Sequence, residues 1–545
     1  MTNSVSGWWR DSVVYQVYVR SFADGNGDGQ GDINGLRSRL SYLAALGVDA
    51  IWLNPWYRSP LADGGYDVAD YRQIEPRYGT LEDAELLIAE CHELGIRVIA
   101  DLVPNHTSVE HVWFGEALAA PPGDPSRDRY IFRSGVGEDK EPPSNWQAVF
   151  GGSTWEPVGD GDYYLHIFDT SQPDLNWQNP EVREEFDAII RFWLDRGVDG
   201  LRIDVSHGMI KDLDFPDLAA QDLGSFSLLE GEEPVTHPFW DRDGVHEINR
   251  RWRAILDEYD DRMMVAEAWV HAKRLPLYLR PDEYHQAFNF DLLETPWSAS
   301  AFRSVICDSL EAAEAIGSTT TWVLSNHDVM RHATRYGLPS GVDWRRWPLD
   351  GPHDLLDQRM GTRRARAAAL ITLSLPGSTY MYQGEELGLP EVWDLPTGVL
   401  DDPTWERSQN TEKGRDGCRV PIPWTADGPS FGFGPSASWL PQPAVFGELA
   451  VEAQLADSHS MLALYRSTIA ARNQHFADGD TLTVVDLGAD VLAYQRAEVL
   501  IVVNMSNADI ELPGGTLIVS STHPAPNEGL GPDTAVWLRV GSSIS

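Results

Sequence analysis

The residues whose types and spacing could do chemistry stand just behind short apolar runs. Asn105 and His106 follow residues 97–103. Asp204 follows residues 200–203, with Arg202 two positions before it. Glu267 follows residues 263–266, and Asn326-His327-Asp328 follow residues 321–324. Titratable groups gathered at the same end of several strands point to one shared mouth. Asp204 and Glu267 would face that mouth from neighbouring strands, which lie about 4.8 Å apart. Two carboxyl groups roughly 5–5.5 Å apart suit a double displacement at an anomeric carbon, one as nucleophile and the other as acid and base. By the two-residue period of a strand, Arg202 points the way Asp204 does. A cation there is expected to keep the Asp204 carboxylate ionised. A single carboxylate at a strand end is more often a cap or ion-pair partner, so the joint pattern carries the reading.

The elements that must position these groups are legible as alternating textures. Eight short runs, near residues 13–19, 50–53, 97–103, 200–203, 263–266, 287–290, 321–324 and 378–381, are rich in β-branched residues and continuous in apolar character. Strands buried on both faces read this way. Between them lie stretches with apolar residues three and four apart, as at 36–43, 81–94 and 182–194, which predict helices. Eight strand–helix units predict a (β/α)8 barrel. Residues 105–179, rich in Pro, Gly, Trp and Asp, predict a small insertion on the rim after the third strand. The barrel then comprises residues 1–104 and 180–472, its last helix closing at Tyr465-Arg466. From residue 476 to 545 strand patterns such as 481–485 and 499–503 predict a C-terminal antiparallel β-sandwich.

Composition narrows the partners. The 545 residues carry 42 Lys and Arg against 83 Asp and Glu, a formal charge of −41. Such a field repels phosphate backbones and anionic lipid, so nucleic acid and membrane surfaces are excluded as expected partners. With 42% hydrophobic residues the chain can bury a large core. Three scattered cysteines are too few for a disulfide framework or a zinc site. No basic segment followed by an apolar one opens the chain, and no apolar run reaches about 20 residues, so a cytoplasmic protein is expected. Flat aromatic faces are abundant, with 21 Trp and 18 Tyr, and such faces also stack on sugar rings.

Four segments resemble the motifs of the α-amylase family, glycoside hydrolase family 13: Asp101-Leu102-Val103-Pro104-Asn105-His106, Gly200-Leu201-Arg202-Ile203-Asp204-Val205-Ser206-His207, Val265-Ala266-Glu267-Ala268 and Val323-Leu324-Ser325-Asn326-His327-Asp328. The resemblance covers essentially the whole chain. It implies Asp204 as nucleophile, Glu267 as acid and base, and Asp328 as transition-state stabiliser. It also implies His106 and His327 as partners of a bound glucosyl ring and Arg202 as the partner of Asp204. Within the family the chain resembles the oligo-1,6-glucosidase and α-glucosidase group. Gln172-Pro173-Asp174-Leu175-Asn176 matches that group's signature. Asp63-Gly64-Gly65-Tyr66 matches the loop whose Asp grips a terminal hydroxyl and whose Tyr stacks on the ring. Gly414-Arg415-Asp416-Gly417-Cys418-Arg419 matches the loop whose Arg pairs with that Asp, through Arg415 or Arg419. Phe168 would wall the glucosyl site, whereas Trp146 and Phe150 read equally as core of the insertion. His92 and His166 read as structural.

The resemblance therefore implies a retaining, exo-acting α-glucosidase that takes small α-glucosides, as a monomer or small homo-oligomer. The expected preference is for maltose and maltooligosaccharides. Two cues conflict on linkage. Val205 after the nucleophile goes with α-1,6 hydrolysis, while Val205-Ser206-His207-Gly208 resembles actinobacterial α-glucosidases acting on α-1,4 substrates. The alternatives are an oligo-1,6-glucosidase, or a transglucosylase or isomerase such as a sucrose isomerase or trehalose synthase. A catalytically inactive accessory barrel is set aside, because Asp204, Glu267 and Asp328 are all present.

One further loop carries oxygen side chains at every second position, from Asp24 to Asp32. It resembles the first half of a calcium loop without the glutamate at position 12, where Gly35 stands. In the resembling group the same loop holds an ion. The expectation is a structural calcium or magnesium held by Asp24, Asn26, Asp28 and Asp32 with the backbone oxygen of Gln30, and no organic cofactor. A phosphate-loop reading fails, because no Lys-Ser or Lys-Thr follows the glycines.

Overall fold

A computed structural model of the chain describes residues 7–138, 140–219, 233–477, 481–523, 525 and 529–541. Eight parallel strands form its centre: β1 (Val13–Val17), β2 (Ala50–Leu53), β3 (Arg97–Leu102), β4 (Gly200–Ile203), β5 (Met263–Ala266), β6 (Gln286–Ala287), β7 (Thr321–Val323) and β8 (Ser378–Tyr382). Their order in the sheet is β6-β5-β4-β3-β2-β1-β8-β7. Sequential strands are thus neighbours, and β1 meets β8. The seam between β6 and β7 is bridged by one hydroxyl: Thr321 Oγ1 donates to the Ala287 carbonyl at 2.9 Å and accepts from the Asn289 N–H at 3.1 Å. All of β1, β2, β4, β5 and β8 is buried. Covering helices on the outside leave no face for polar residues, which is why the runs are continuous in apolar character.

The helices follow from their caps and stripes. Leu81–Glu93 starts at Thr80, whose side chain and that of Asp83 form a capping box. Pro180–Leu194 starts at the Asn179 cap with proline in the first turn. It buries Val182, Phe186, Ile189, Ile190, Trp193 and Leu194 against the barrel.

Three expectations shift. The sixth apolar run is strand only over Gln286–Ala287. Asn289 then accepts the Leu292 N–H and caps the helix Phe290–Glu294. The last barrel helix, Met461–His475, runs well past Tyr465-Arg466, because Ile469 and Arg472 bury along the same face. The segment 105–179 holds a helix, Val112–Ala119, where little helical period was legible. It also holds a three-stranded antiparallel sheet with Asp162–Leu165 between Phe132–Ser134 and Trp155–Pro157. Its core, with Trp146, Trp155 and Leu165, packs against Phe215, Phe239 and Trp240 beyond β4.

At the C-terminal end five antiparallel strands form one sheet, and Ile510–Glu511 pairs with Gly529–Leu530. The larger sheet leans on the helix Gln358–Thr372, where Trp537 Nε1 donates to the Leu370 carbonyl at 3.0 Å. No helix among the described residues is long and apolar enough to cross a membrane.

Candidate active site

Strand register sets the first contacts. Arg202 of β4 lies opposite Asp101 of β3 and Val265 of β5. Its guanidinium is buried and reaches three carboxyl groups. Nη1 donates to Asp101 at 2.8 Å and to Asp204 at 2.5 Å, and Nη2 lies 2.7 Å from Glu267 Oε2. Glu267 is fixed from other directions too. Trp269 Nε1 donates to Oε1 and the Val205 N–H donates to Oε2, each at 3.0 Å. Val205 has φ +44°, a region a β-branched residue enters at a cost of order 1–3 kcal/mol. That turn behind Asp204 aims the amide at Glu267. The next residue, Ser206, holds the Glu267 carbonyl with its N–H and its hydroxyl.

Arg202 does not by itself settle the charge of Asp204, contrary to expectation. Burial pushes the Asp204 carboxyl well up, Arg202 pulls it down, and the Glu267 and Asp101 charges push it up again. With burial first among these causes, the Asp204 carboxyl is held well above the ordinary carboxylate range. The Asp101 carboxyl is raised to about 6, by burial first and against Arg202. Asp328 behaves oppositely. Burial disfavours its charge, but His327, Arg415 and Arg419 outweigh burial and hold its carboxyl well below the usual range.

A second guanidinium, that of Arg415, joins three carboxylates. Nη2 donates to Asp63 Oδ1 at 2.6 Å, Nη1 to Asp328 at 3.0 Å and Nε to Asp402 at 2.5 Å. Arg419 stands behind it, donating to Asp328 at 3.0 Å and to the His327 carbonyl at 2.8 Å. Of the two arginines left open by the sequence, Arg415 therefore meets Asp63. Gln172 Nε2 takes the second oxygen of Asp63 at 3.0 Å.

Tyr66 stacks on His327 with centroids 5.2 Å apart and planes 7° apart, and its hydroxyl donates to Asp101 at 2.9 Å. His106 lies with Nε2 3.1 Å from the Tyr66 carbonyl. Burial lowers its pKa to about 3, so the ring stays neutral. Phe168 is 5.2 Å from the His106 ring.

A cavity of about 260 Å³ brings together Asp204, Glu267, Asp328, Asp63, Tyr66, His106, Phe168 and Arg415 on its wall. Arg202, His327 and Arg419 form the layer behind it. Phe150 also reaches the wall, whereas Trp146 is core of the 105–179 segment. His92 pairs with Asp199 at 2.7 Å, and His166 is fully buried. Four contributors went unassigned at the sequence level. Asp101 and Gln172 sit inside quoted motifs; strand register against Arg202 is an available signal for Asp101, and Gln172 has none that points to Asp63. Asp402 and Trp269 lie in loops without period and carried none.

The Asp24–Asp32 loop shows how its oxygens are used. Gly27 and Gly29 N–H donate to Asp24 at 2.5 and 2.9 Å, Asp28 N–H to Asn26 at 2.8 Å, and Gln30 N–H to Asp28 at 2.8 Å. Asp32 accepts from Gly25, Asn26 and Gly35 N–H at 2.8, 3.0 and 2.7 Å, the last as cap of the helix Ile33–Arg37. Among the described residues no three His, Cys, Asp or Glu side chains are gathered to hold a metal. The donor set, all oxygen, is nonetheless of the kind that suits a hard cation, and a carboxylate oxygen that accepts one amide keeps acceptor capacity.

The chain matches the family model described as "Alpha amylase, catalytic domain" over residues 16–479. It is 37% identical over 532 residues to a probable alpha-glucosidase of Rhizobium meliloti (strain 1021), covering 93% of this chain and 91% of that protein. It is 35% identical over 504 residues to an oligo-1,6-glucosidase of Parageobacillus thermoglucosidasius, covering 86% and 84%. Among solved structures, the trehalulose synthase MutB of Pseudomonas mesoacidophila MX-45 superposes with a TM-score of 0.84 at 31% identity, covering 98% of this chain and 99% of that one. With an eight-stranded parallel barrel, carboxyl groups at the ends of β4, β5 and β7, and these similarities along nearly its full length, the chain belongs to the α-amylase family of glycoside hydrolases.

Proposed function

We propose that the chain is a retaining, exo-acting α-glucosidase that releases α-glucose from the non-reducing end of short α-glucosides, with maltose and maltooligosaccharides preferred. The observation that carries this reading is the Asp63–Arg415 pair across one end of the cavity that holds Asp204 and Glu267. A chain cannot run through an end closed by an ion pair, so one terminal glucosyl unit fits beyond the scissile bond. In the first step Asp204 attacks the anomeric carbon, the glycosidic C–O bond breaks, and Glu267 gives its proton to the leaving oxygen. Asp328, held ionised by His327 and two arginines, faces the developing positive charge. In the second step water attacks the same carbon, Glu267 takes its proton, and Asp204 leaves as carboxylate. Two inversions restore the α-configuration. A time course on maltoheptaose, with the product anomer followed by NMR, tests this. Glucose of α-configuration should appear first, and early internal fragments or β-glucose would refute it.

A second reading is favoured by the similarity to a trehalulose synthase: a sugar hydroxyl in place of water in the second step makes the same site a transglucosylase or isomerase. Products from sucrose and maltose separate the two. On linkage, α-1,4 is the preferred reading despite Val205.

A structural calcium or magnesium ion in the Asp24–Asp32 loop is proposed on donor chemistry alone. Asp24, Asn26, Asp28, Asp32 and the Gln30 carbonyl would hold it, far in sequence from the catalytic carboxyls, for stability and not for catalysis. A bound ion stabilises the native state by mass action. Chelator should lower Tm and calcium restore it, and an unchanged Tm with no metal in the purified protein would refute the ion. A cytoplasmic location and a monomer or small homo-oligomer complete the reading.

A further inference from the structure

We infer that Gln16 is a positioning residue for the reaction: it fixes the imidazole proton of His327 on Nε2, beside Asp328. The place of the proton follows from the hydrogen-bond pattern, and its bearing on turnover rests on the α-glucosidase reading.

Gln16 is the one amide in β1, Val-Val-Tyr-Gln-Val, and it is buried. Val14, two residues before it, packs with Trp52 in the cluster that the strands enclose. Gln16 lies opposite Trp52 in register. By the period of the strand its side chain enters the barrel as Val14 does. A buried amide costs free energy unless its hydrogens are bonded, so both N–H groups need acceptors.

The direction of each bond follows from the far end of the chain. Asp101 receives Arg202 Nη1 on Oδ1 at 2.8 Å and Trp52 Nε1 on Oδ2 at 3.1 Å. Both are groups that only donate. The Tyr66 hydroxyl gives its one proton to the same Oδ2 at 2.9 Å. It can then only accept from Asn54, at 2.7 Å, so the Asn54 amide turns Nδ2 that way. The Asn54 oxygen is left facing Gln16 at 2.9 Å and takes one hydrogen of Gln16 Nε2. The second hydrogen of Nε2 goes to His327 Nδ1, 2.7 Å away, and Nδ1 must accept it.

Burial keeps the His327 ring neutral, so one proton has two nitrogens to choose between. Tyr66 and Tyr18 stack on the ring at 5.2 Å and 6.1 Å and fix its plane. With Nδ1 an acceptor, the proton sits on Nε2. That nitrogen is 3.2 Å from Asp328 Oδ2 and has no hydrogen-bond partner among the described residues. Arg415 and Arg419 both hold the other oxygen, Oδ1. An N–H facing Oδ2 favours the carboxylate, and a nitrogen lone pair there would oppose it. Asp328 faces charge that develops only as the glycosidic bond breaks, so the tautomer bears on the transition state more than on substrate binding.

The proton can be read directly by NMR of enzyme labelled with nitrogen-15 histidine, the His327 signals being assigned by their loss in His327→Phe. Between pH 6 and 8, Nδ1 should be the unprotonated nitrogen and Nε2 the protonated one. A proton on Nδ1 of the unaltered enzyme, alone or together with one on Nε2, would overturn the inference whatever the activity. Gln16→Met and Gln16→Leu both remove the donors. Each should lower kcat on maltose about tenfold, the size of one buried hydrogen bond lost with its partner left unpaired. KM should change far less, and the His327 signals should move toward a mixture of the two tautomers. In a His327→Phe background the same substitutions should cost nothing further. Folded Gln16 variants with unchanged kcat and unchanged His327 signals, or with equal losses in both backgrounds, would overturn this inference and leave the α-glucosidase reading in place. An unaltered enzyme that shows the expected His327 signals and does not cleave maltose would overturn the α-glucosidase reading and bear out the place of the proton.

Discussion

Arg415 places Nη2 2.6 Å from Asp63 Oδ1, and the same guanidinium lies 3.0 Å from Asp328. The group that pairs with Asp63 is therefore also one of the groups that holds the Asp328 carboxyl ionised. Asp402, fully buried at its side chain, holds Nε of that guanidinium and fixes its plane.

The two ends of this pair should separate under mutation. Asp63→Ala removes a contact common to all substrates, so KM should rise at least tenfold on maltose and maltotriose alike. Arg415→Ala removes the closure and one of the charges that face Asp328. It should raise KM and lower kcat together, with internal fragments appearing from maltoheptaose. Steady-state kinetics on both sugars and a product time course check this. An Arg415→Ala enzyme with unchanged products would refute the closure.

The catalytic assignment predicts a sharp asymmetry between the carboxyls. Asp204→Asn should cost on the order of 10⁴-fold or more in kcat while Tm stays near that of the unaltered enzyme, because loss of one member of a catalytic unit removes most of its effect. Glu267→Gln should spare donors with very good leaving groups in the first step and disable maltose, since only the latter needs a proton on the leaving oxygen. The ratio of rates on α-glucosyl fluoride and maltose reads this directly. Equal losses on both substrates would count against Glu267 as the acid.

How much of this site is visible in the chain depends on what positions each residue. Asp204 and Glu267 follow apolar runs directly, so the period of the strand places them, whereas Asp328 stands on the loop past the end of β7 at Val323. The barrel's order is legible for the same reason: each buried strand must be continuous in apolar character. The β6 run is the exception, since Phe288 to Phe290 continue the apolar texture while Asn289 starts a helix. Residues delivered by loops are less legible. Gln172 acts because it folds back onto Asp63, 109 positions away, and Asp402 because its loop returns to Arg415, 13 positions on, and no local pattern encodes either return. Charge is less legible still. Arg202 beside Asp204 suggests an ionised carboxylate, yet burial and two neighbouring carboxyls reverse that sign, and both terms are set by packing in three dimensions.

Asp101 offers a way to test that electrostatic account. It shares Arg202 Nη1 with Asp204 and contributes a charge that raises the Asp204 carboxyl. The first step needs Asp204 ionised, so the acid limb of kcat/KM reports the loss of the Asp204 proton. Because the Asp204 carboxyl is pushed up, that limb should lie above the ordinary carboxylate range, near 4 for a free Asp. Asp101→Asn removes a like charge, which lowers the pKa of its neighbour. It also frees Arg202 Nη1 for Asp204 alone, which lowers it further. Both terms have the same sign, so the acid limb should move to lower pH and the variant should retain a larger share of its optimum activity at acid pH. Tyr66 and Trp52, which donate to Asp101 Oδ2 at 2.9 and 3.1 Å, can be served by the amide oxygen of Asn, which limits the structural cost. Rate profiles from pH 4 to 8 on maltose, together with Tm at each pH, separate the electrostatic effect from unfolding. An acid limb that stays in place, or moves up, in a variant with unchanged Tm would show that the Asp101 charge does not govern the ionisation of the catalytic pair.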